Sequence, residues 1–308
     1  MSIQKMNLVG NVKARERLTK LKQANSLSHA YLFCGPSSVG KTAFATLFAR
    51  SLLCESESNT PCEVCESCKL FLSGNNPDFI LLDSPDLVSV EEIRELISSL
   101  ELSPYKSKYK VVVIANFERM TVQGVNSFLK TLEEPTKSTK IILTATNKKN
   151  LLPTIVSRTQ IVNFGFVENE EIEKFITENY DLDYKDINEI INLVSGRIGE
   201  AKNFIENWDE YCQLKEISNE MLRLINAGDI IERFTFAEKV SKDKDWLKRL
   251  LSFSELKLRK LIISDIAQEN NNDALRGVRI MDKILITKEY LMKNVNTKLA
   301  VESLLLGE

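Results

Sequence analysis

The sequence lacks most features that would assign it a specialised setting. No apolar run approaches the roughly 18 residues that a membrane span requires. The N-terminal "MSIQKMNLVGN" has no long apolar core of the signal-peptide kind, so a cytoplasmic chain with no membrane partner is expected. There is no surplus of positive charge: the formal net charge is −2, so any DNA contact is expected to be local or shared with partners. No internal repeat or low-complexity linker interrupts the 308 residues, which as a soft prior hold about two or three domains. Histidine occurs once, at His29; a lone histidine before a strand is read as structural and is assigned no chemistry.

One further absence is chemical. In "KVVVIANFERM", Val111 to Ile114 form a short apolar run suited to a strand buried on both faces. In a phosphate-handling protein the next two positions are acidic and hold magnesium and a water. Here they are Ala115 and Asn116, neither of which carries a carboxylate. Asp83 and Glu118 are the nearest acids that could substitute, Glu118 on an expected following helix.

What is present alternates. "AYLFCG", "DFILLD", "KVVVIA", "KIILTAT" and "TQIVNF" are strand candidates separated by helical patterns, which implies an α/β domain with a largely parallel sheet. In "SVEEIRELISSL", Ser89 and Glu92 form a capping box ahead of an apolar periodicity at Ile93, Leu96, Ile97 and Leu100. Beyond about residue 167 the pattern becomes helical, first in two short stretches. Later, "DWLKRLLSFSELKLRKLIISDIA" predicts a long helix with an apolar stripe through Trp246, Leu247, Leu250, Leu251, Leu258, Leu261 and Ile262.

"GPSSVGKT" fits the phosphate-loop pattern G-x-x-x-x-G-K-[ST] between a strand and a helix, which is the context the motif needs. Gly35, Pro36, Ser37, Ser38, Val39 and Gly40 form the loop whose amides cradle phosphates. Lys41 would reach the β- and γ-phosphates, and Thr42 would ligate magnesium, so ATP or ADP with magnesium is the expected cofactor. Four of the six cysteines, Cys54, Cys62, Cys65 and Cys68, have the spacing C-x7-C-x2-C-x2-C. In a cytoplasmic chain this points to a closed tetrahedral structural zinc site rather than to disulfides; an iron–sulfur cluster takes the same four ligands, but nothing else in the sequence suggests redox work. Cys34 and Cys212 read as small buried apolar residues.

Taken together, "SHAYLFCGPSSVGKT", the cysteine insertion after the loop's helix, "EEIRELISSLELSPYKSKYKVVVI", "NSFLKTLEEPTKSTKIILTATN" and "LPTIVSR" resemble the bacterial DNA polymerase III clamp-loader family of AAA+ proteins over most of residues 28 to 164. The C-terminal "NVNTKLAVESLLL" resembles the same group. The resemblance implies an AAA+ core with a zinc knuckle at 54–68 (residues 1–166), a helical lid (167–209) and an all-α collar that joins subunits (210–308). Two branches share these motifs. The hydrolysing gamma/tau motor carries acids where this chain has Ala115 and Asn116, and a lid arginine in Gly-x-x-Arg where "SGRIGEA" places Gly199, with Arg197 nearby. The motor also tends to be longer. These departures favour the delta-prime branch, whose partners are gamma/tau and delta subunits in a hetero-pentamer that loads the sliding clamp on primed DNA. In "IVSRT", Arg158 matches the family's Ser-Arg-Cys arginine, which the resemblance makes a trans arginine finger for a neighbour's ATP. Thr146 and Asn147 fall where a sensor 1 side chain sits. Two alternatives stay open: a gamma-like ATPase, and a zinc-containing AAA+ adaptor outside replication.

Overall fold

Three of the apolar runs in the first half, at 30–34, 110–114 and 139–145, carry two alternating sets of side chains, and the fold buries both. The computed structural model describes residues 8–56, 60–84, 87–293 and 295–306. Residues 1–7, which carry most of the N-terminal stretch read above, and residues 57–59 of the cysteine segment lie outside the described residues. So does residue 294 of the C-terminal motif. The chain runs α1 (Val12–Gln23), β1 (Ala30–Cys34), α2 (Lys41–Leu53), α3 (Glu66–Leu72), β2 (Phe79–Leu82), α4 (Val90–Glu101), β3 (Lys110–Ile114), α5 (Val122–Glu133), β4 (Thr139–Ala145), α6 (Pro153–Ser157), β5 (Gln160–Asn163) and α7 (Asn169–Asn179). Then follow α8 (Tyr184–Val194), α9 (Ile198–Glu206), α10 (Trp208–Ala227), α11 (Ile230–Val240), α12 (Lys244–Ala267), α13 (Asn271–Met292) and α14 (Thr297–Leu306).

The five strands pair in parallel in the order β2-β3-β4-β1-β5. Because successive side chains point to opposite faces, Ala30, Leu32, Val112, Ile114, Ile141 and Leu143 pack with Ile93, Leu96, Phe128 and Leu132 of α4 and α5. Tyr31, Phe33, Val111, Val113 and Ile142 pack with Leu18, Phe44, Phe48 and Phe71 of α1, α2 and α3. Every residue of β1, β3 and β4 is buried, as a sheet covered on both faces requires. The capping box at the start of α4 is present: Ser89 Oγ accepts from the Glu92 N–H, and the Glu92 carboxylate accepts from the Ser89 N–H. This is a parallel P-loop core in which β1 lies between β4 and β5, and the carboxyl end of β1 leads through a loop into α2.

The chain divides into two compact units, 1–180 with 196–199, and 181–195 with 200–308. The stretch expected as a lid, 167–209, is therefore shared between them. The second unit is helical throughout. Phe204, Tyr211 and Phe253 stack edge-on and tilted at its centre, and a buried Ser218–Ser254 hydroxyl pair (2.8 Å) joins α10 to α12. The stripe on α12 is buried only in part. Leu247, Leu250, Leu251 and Leu258 are covered, whereas Leu261 is exposed together with Ile263 and Ile266. Periodicity identifies an apolar face but not how far a neighbouring helix runs along it. Cys212, expected to be buried, is only partly so. Among the described residues no helix is long and apolar enough to cross a membrane.

Candidate nucleotide and metal sites

Gly40 sits at φ +93°, a conformation that side chains rarely adopt, and its turn sends the chain into α2. Val39 is fully buried in the core face shared with Phe44 and Phe33, so the loop is pinned from beneath. Lys41 opens α2 almost completely buried, and its Nζ donates to the carbonyls of Gly35 (2.8 Å) and Pro36 (2.6 Å). Burial holds its pKa below the usual lysine value, partly offset by the nearness of the Glu118 carboxylate and Cys34. Thr42 follows in the first helical turn, half-buried.

At the end of β3, Ala115 is buried and its N–H donates to the Leu82 carbonyl (2.9 Å). Asn116 takes a left-handed backbone conformation and donates its N–H to Thr144 Oγ1 (3.0 Å). The two substitute acids separate. Asp83 is exposed beyond β2, and β2 is three strand spacings from β1, about 14 Å. Glu118 lies in a 3-10 turn, Phe117–Arg119, rather than on the expected helix. Its Oε1 accepts the Thr146 N–H (2.8 Å), and its Oε2 is buried with no hydrogen-bond partner among the described residues. Of the two, only Glu118 is close enough for Lys41 to feel its charge. Asn147 uses its side chain to cap the turn Lys148–Asn150 by accepting from Lys149 N–H (2.9 Å).

Residues 196–199 belong to the same unit and touch the loop directly. The Gly199 N–H donates to the Ser38 carbonyl (2.7 Å), and a Cβ at Gly199 would lie 2.9 Å from that oxygen. Gly199 is thus the residue facing the loop, at a place with no room for a side chain. Arg197 is buried with its guanidinium 5.0 Å over the Phe166 ring.

Arg158 caps the C-terminus of α6. Its Nη2 pairs with Glu133 Oε1 (2.7 Å), and its Nη1 donates to the Thr154 carbonyl (3.1 Å) and Ser157 Oγ (3.3 Å). The pair is partly exposed, at 34% for the arginine side chain and 47% for the glutamate.

The four cysteines converge. Their Sγ atoms all lie within 4.8 Å of one another, with Cys54 and Cys65 4.0 Å apart. A tetrahedral zinc with bonds of about 2.3 Å has sulfur–sulfur edges of about 3.8 Å, so the set fits a zinc-sized ion with little adjustment. Backbone amides support the sulfurs: Cys62 N–H donates to Cys54 Sγ, Cys65 N–H to Cys62 Sγ and Cys68 N–H to Cys65 Sγ, each at 3.3 Å. Backbone amides, that of Cys65 foremost, lower the Cys62 thiol to about 6. Burial pushes Cys68 up to about 12. A bound dication overrides this, because a coordinating thiol is deprotonated outright. Two cations stand behind the cluster. Buried Arg50 pairs with Glu63 (3.5 Å), and Lys22, held by the Ser51 carbonyl (2.6 Å), has its pKa lowered by burial, an effect partly offset by its nearness to Cys54 and Cys68.

Sequence reasoning assigned no role to Glu133, although "LEEP" was among the quoted motifs. It also did not foresee the Gly199–Ser38 contact, whose partners lie far apart in the chain.

Comparison with known proteins agrees with this geometry. A family model described as DNA polymerase III, delta subunit, matches residues 10–168. The DNA polymerase III subunit delta' of Bacillus subtilis is 30% identical over 305 residues, covering 92% of this chain and 92% of that protein. The DNA polymerase III subunit gamma of Buchnera aphidicola is 34% identical over 187 residues, which are 59% of this chain; the match spans only 52% of that relative's length. A crystal structure of a DNA polymerase III gamma subunit-related protein from Thermotoga maritima shares the fold, with a TM-score of 0.50 at 21% identity over 94% of this chain and 97% of that one. The chain therefore belongs to the DNA polymerase III subunit family described by that model, the clamp-loader family that its motifs resemble.

Proposed function

We propose that the chain acts as the delta-prime subunit of a DNA polymerase III clamp loader, binding nucleotide without turning it over and lending Arg158 to a neighbour. The observation that carries the reading is a contrast within one sheet. The phosphate loop after β1 keeps every residue of its motif, whereas the end of β3 offers Ala115 and Asn116 and no carboxylate. Phosphoryl transfer in P-loop proteins needs magnesium held by the loop hydroxyl and by an acid from a neighbouring strand. Here Gly35 to Gly40, Lys41 and Thr42 would hold ATP or ADP with magnesium, and Cys54, Cys62, Cys65 and Cys68 would hold structural zinc. Support also comes from the near end-to-end match with the Bacillus subtilis delta' subunit.

In this reading the chain comprises a core (1–166), a lid (167–209) and a collar (210–308), and acts in the cytoplasm. It would join gamma/tau and delta subunits in a hetero-pentamer that opens the sliding clamp and places it on primed DNA. The collar's exposed apolar residues, among them Ile263, Ile266 and Leu275, would be covered by those subunits. Reconstitution with gamma/tau and delta tests the role: clamp loading should require this chain, while the chain alone should bind ATP and not hydrolyse it. Steady turnover by the isolated chain would instead support the gamma-like motor. One observation favours that second reading, namely the Glu118 carboxylate on the Lys41 side of the sheet.

A further inference from the structure

We infer that Glu133 is a positioning residue for Arg158: it holds the arginine on its own chain and competes for it with the phosphates of the neighbouring subunit's nucleotide. The inference rests on the finger role proposed above. Arg158 has contacts of two kinds. Thr154 and Ser157 belong to α6, the helix it caps, and so move with it. Glu133 belongs to a different element, the last residue of α5, and is the only one of the three that is charged.

The placement of Glu133 is informative. It and Glu134 stand at the C-terminal end of α5, where the helix dipole disfavours negative charge. A carboxylate there gains from a nearby cation, and the cation supplied is the residue proposed to act elsewhere. The pair is also exposed enough to be weak and exchangeable. A triphosphate carries more charge than one carboxylate and accepts the arginine fork in bidentate fashion, so it wins the guanidinium when it arrives. Glu133 thus sets how much nucleotide is needed before the finger transfers.

The test uses the reconstituted complex and titrates a non-hydrolysable ATP analogue alongside ATPase kinetics. Glu133→Gln should tighten analogue binding and lower the KM for ATP by about 1.5- to 5-fold, the range that exposed ion pairs span, with kcat unchanged. Glu133→Asp should stay near wild type. In an Arg158→Ala background, Glu133→Gln should change nothing. An unchanged affinity for Glu133→Gln would make the pair a local surface contact. A fall in kcat at constant KM would mean that Glu133 aligns the finger instead of competing for it; either result overturns the inference. If Arg158→Ala alone leaves the complex's ATPase intact, the finger reading fails and this inference fails with it. Circular dichroism of each full-length variant serves as the folding control.

Discussion

Lys41 and Arg158 are two cations of one unit held in similar ways, both donating to main-chain carbonyls of their own segment. They differ in exposure and in the company of acids. Lys41 is 6% exposed and folded against the loop it would serve. Arg158 sits at the surface, paired with a carboxylate from another helix. A buried lysine over its own phosphate loop can act only on a nucleotide bound to the same chain. A partly exposed arginine at the end of a short helix can be given away. The contrast would suit the proposed division of labour, in which one chain binds nucleotide and its neighbour hydrolyses.

The sharpest way to break the comparison is Arg158→Ala. The variant should fold, join the complex and bind its own nucleotide with unchanged affinity. The complex should lose ATPase, by up to about 10³ at the one interface affected and by less overall, because other sites keep their own arginines. Arg158→Lys should recover only part, since an ammonium cannot copy the planar fork. An ATPase assay of the assembled complex reads both.

Cys65→Ser separates the knuckle from either cation. One tightly held zinc per chain is expected by metal analysis of wild type. Loss of a direct ligand should weaken binding by more than the ~10–100-fold that outer-shell partners cost, leaving nucleotide affinity intact. Metal should also be lost on acidification. Protons compete for the sulfurs, and below about 6 even Cys62, whose thiol the backbone amides acidify in the metal-free site, is protonated. Zinc retention that is independent of pH would argue against thiolate ligation.

Lys41→Ala is the converse of the arginine change. Charged hydrogen bonds contribute about 1.5–3 kcal/mol, so calorimetric titration should show ATP and ADP affinity falling roughly 10- to 150-fold. If the ammonium is committed to Gly35 and Pro36 in the bound state as well, affinity will hardly move and the comparison collapses.

The smallest effect is expected at Asp78, which orders the loop before β3 by accepting from the N–H groups of Tyr105 (2.6 Å), Lys106 (3.0 Å) and Ser107 (2.8 Å). Burial alone would raise its pKa, but these amides bring it below the ordinary 3.8. A depressed carboxylate stabilises the fold above its unfolded value, and that contribution is lost as pH falls through the folded value. Asp78→Asn should therefore cost about 1–2 kcal/mol near neutral pH, and less in strong acid, where wild type is protonated too. Denaturant unfolding across pH measures the difference.

The sequence by itself determined whatever depends on neighbours a few residues away. The five strands came from runs of Val, Ile, Leu and Phe, and the α4 capping box from a three-residue spacing. The phosphate loop came from eight consecutive residues, and the cysteine cluster from residues close enough in the chain to meet. Only the tertiary structure decided which distant residues share a site. The order β2-β3-β4-β1-β5 sends Asp83 to the sheet edge and brings Glu118 to the end of β4. Folding of 196–199 back onto Ser38 leaves Gly199 no room for a side chain, and the approach of α6 to α5 gives Arg158 its carboxylate. No local pattern encodes these contacts. They follow from burying both faces of one parallel sheet under helices, which fixes where each strand end and each helix end must lie.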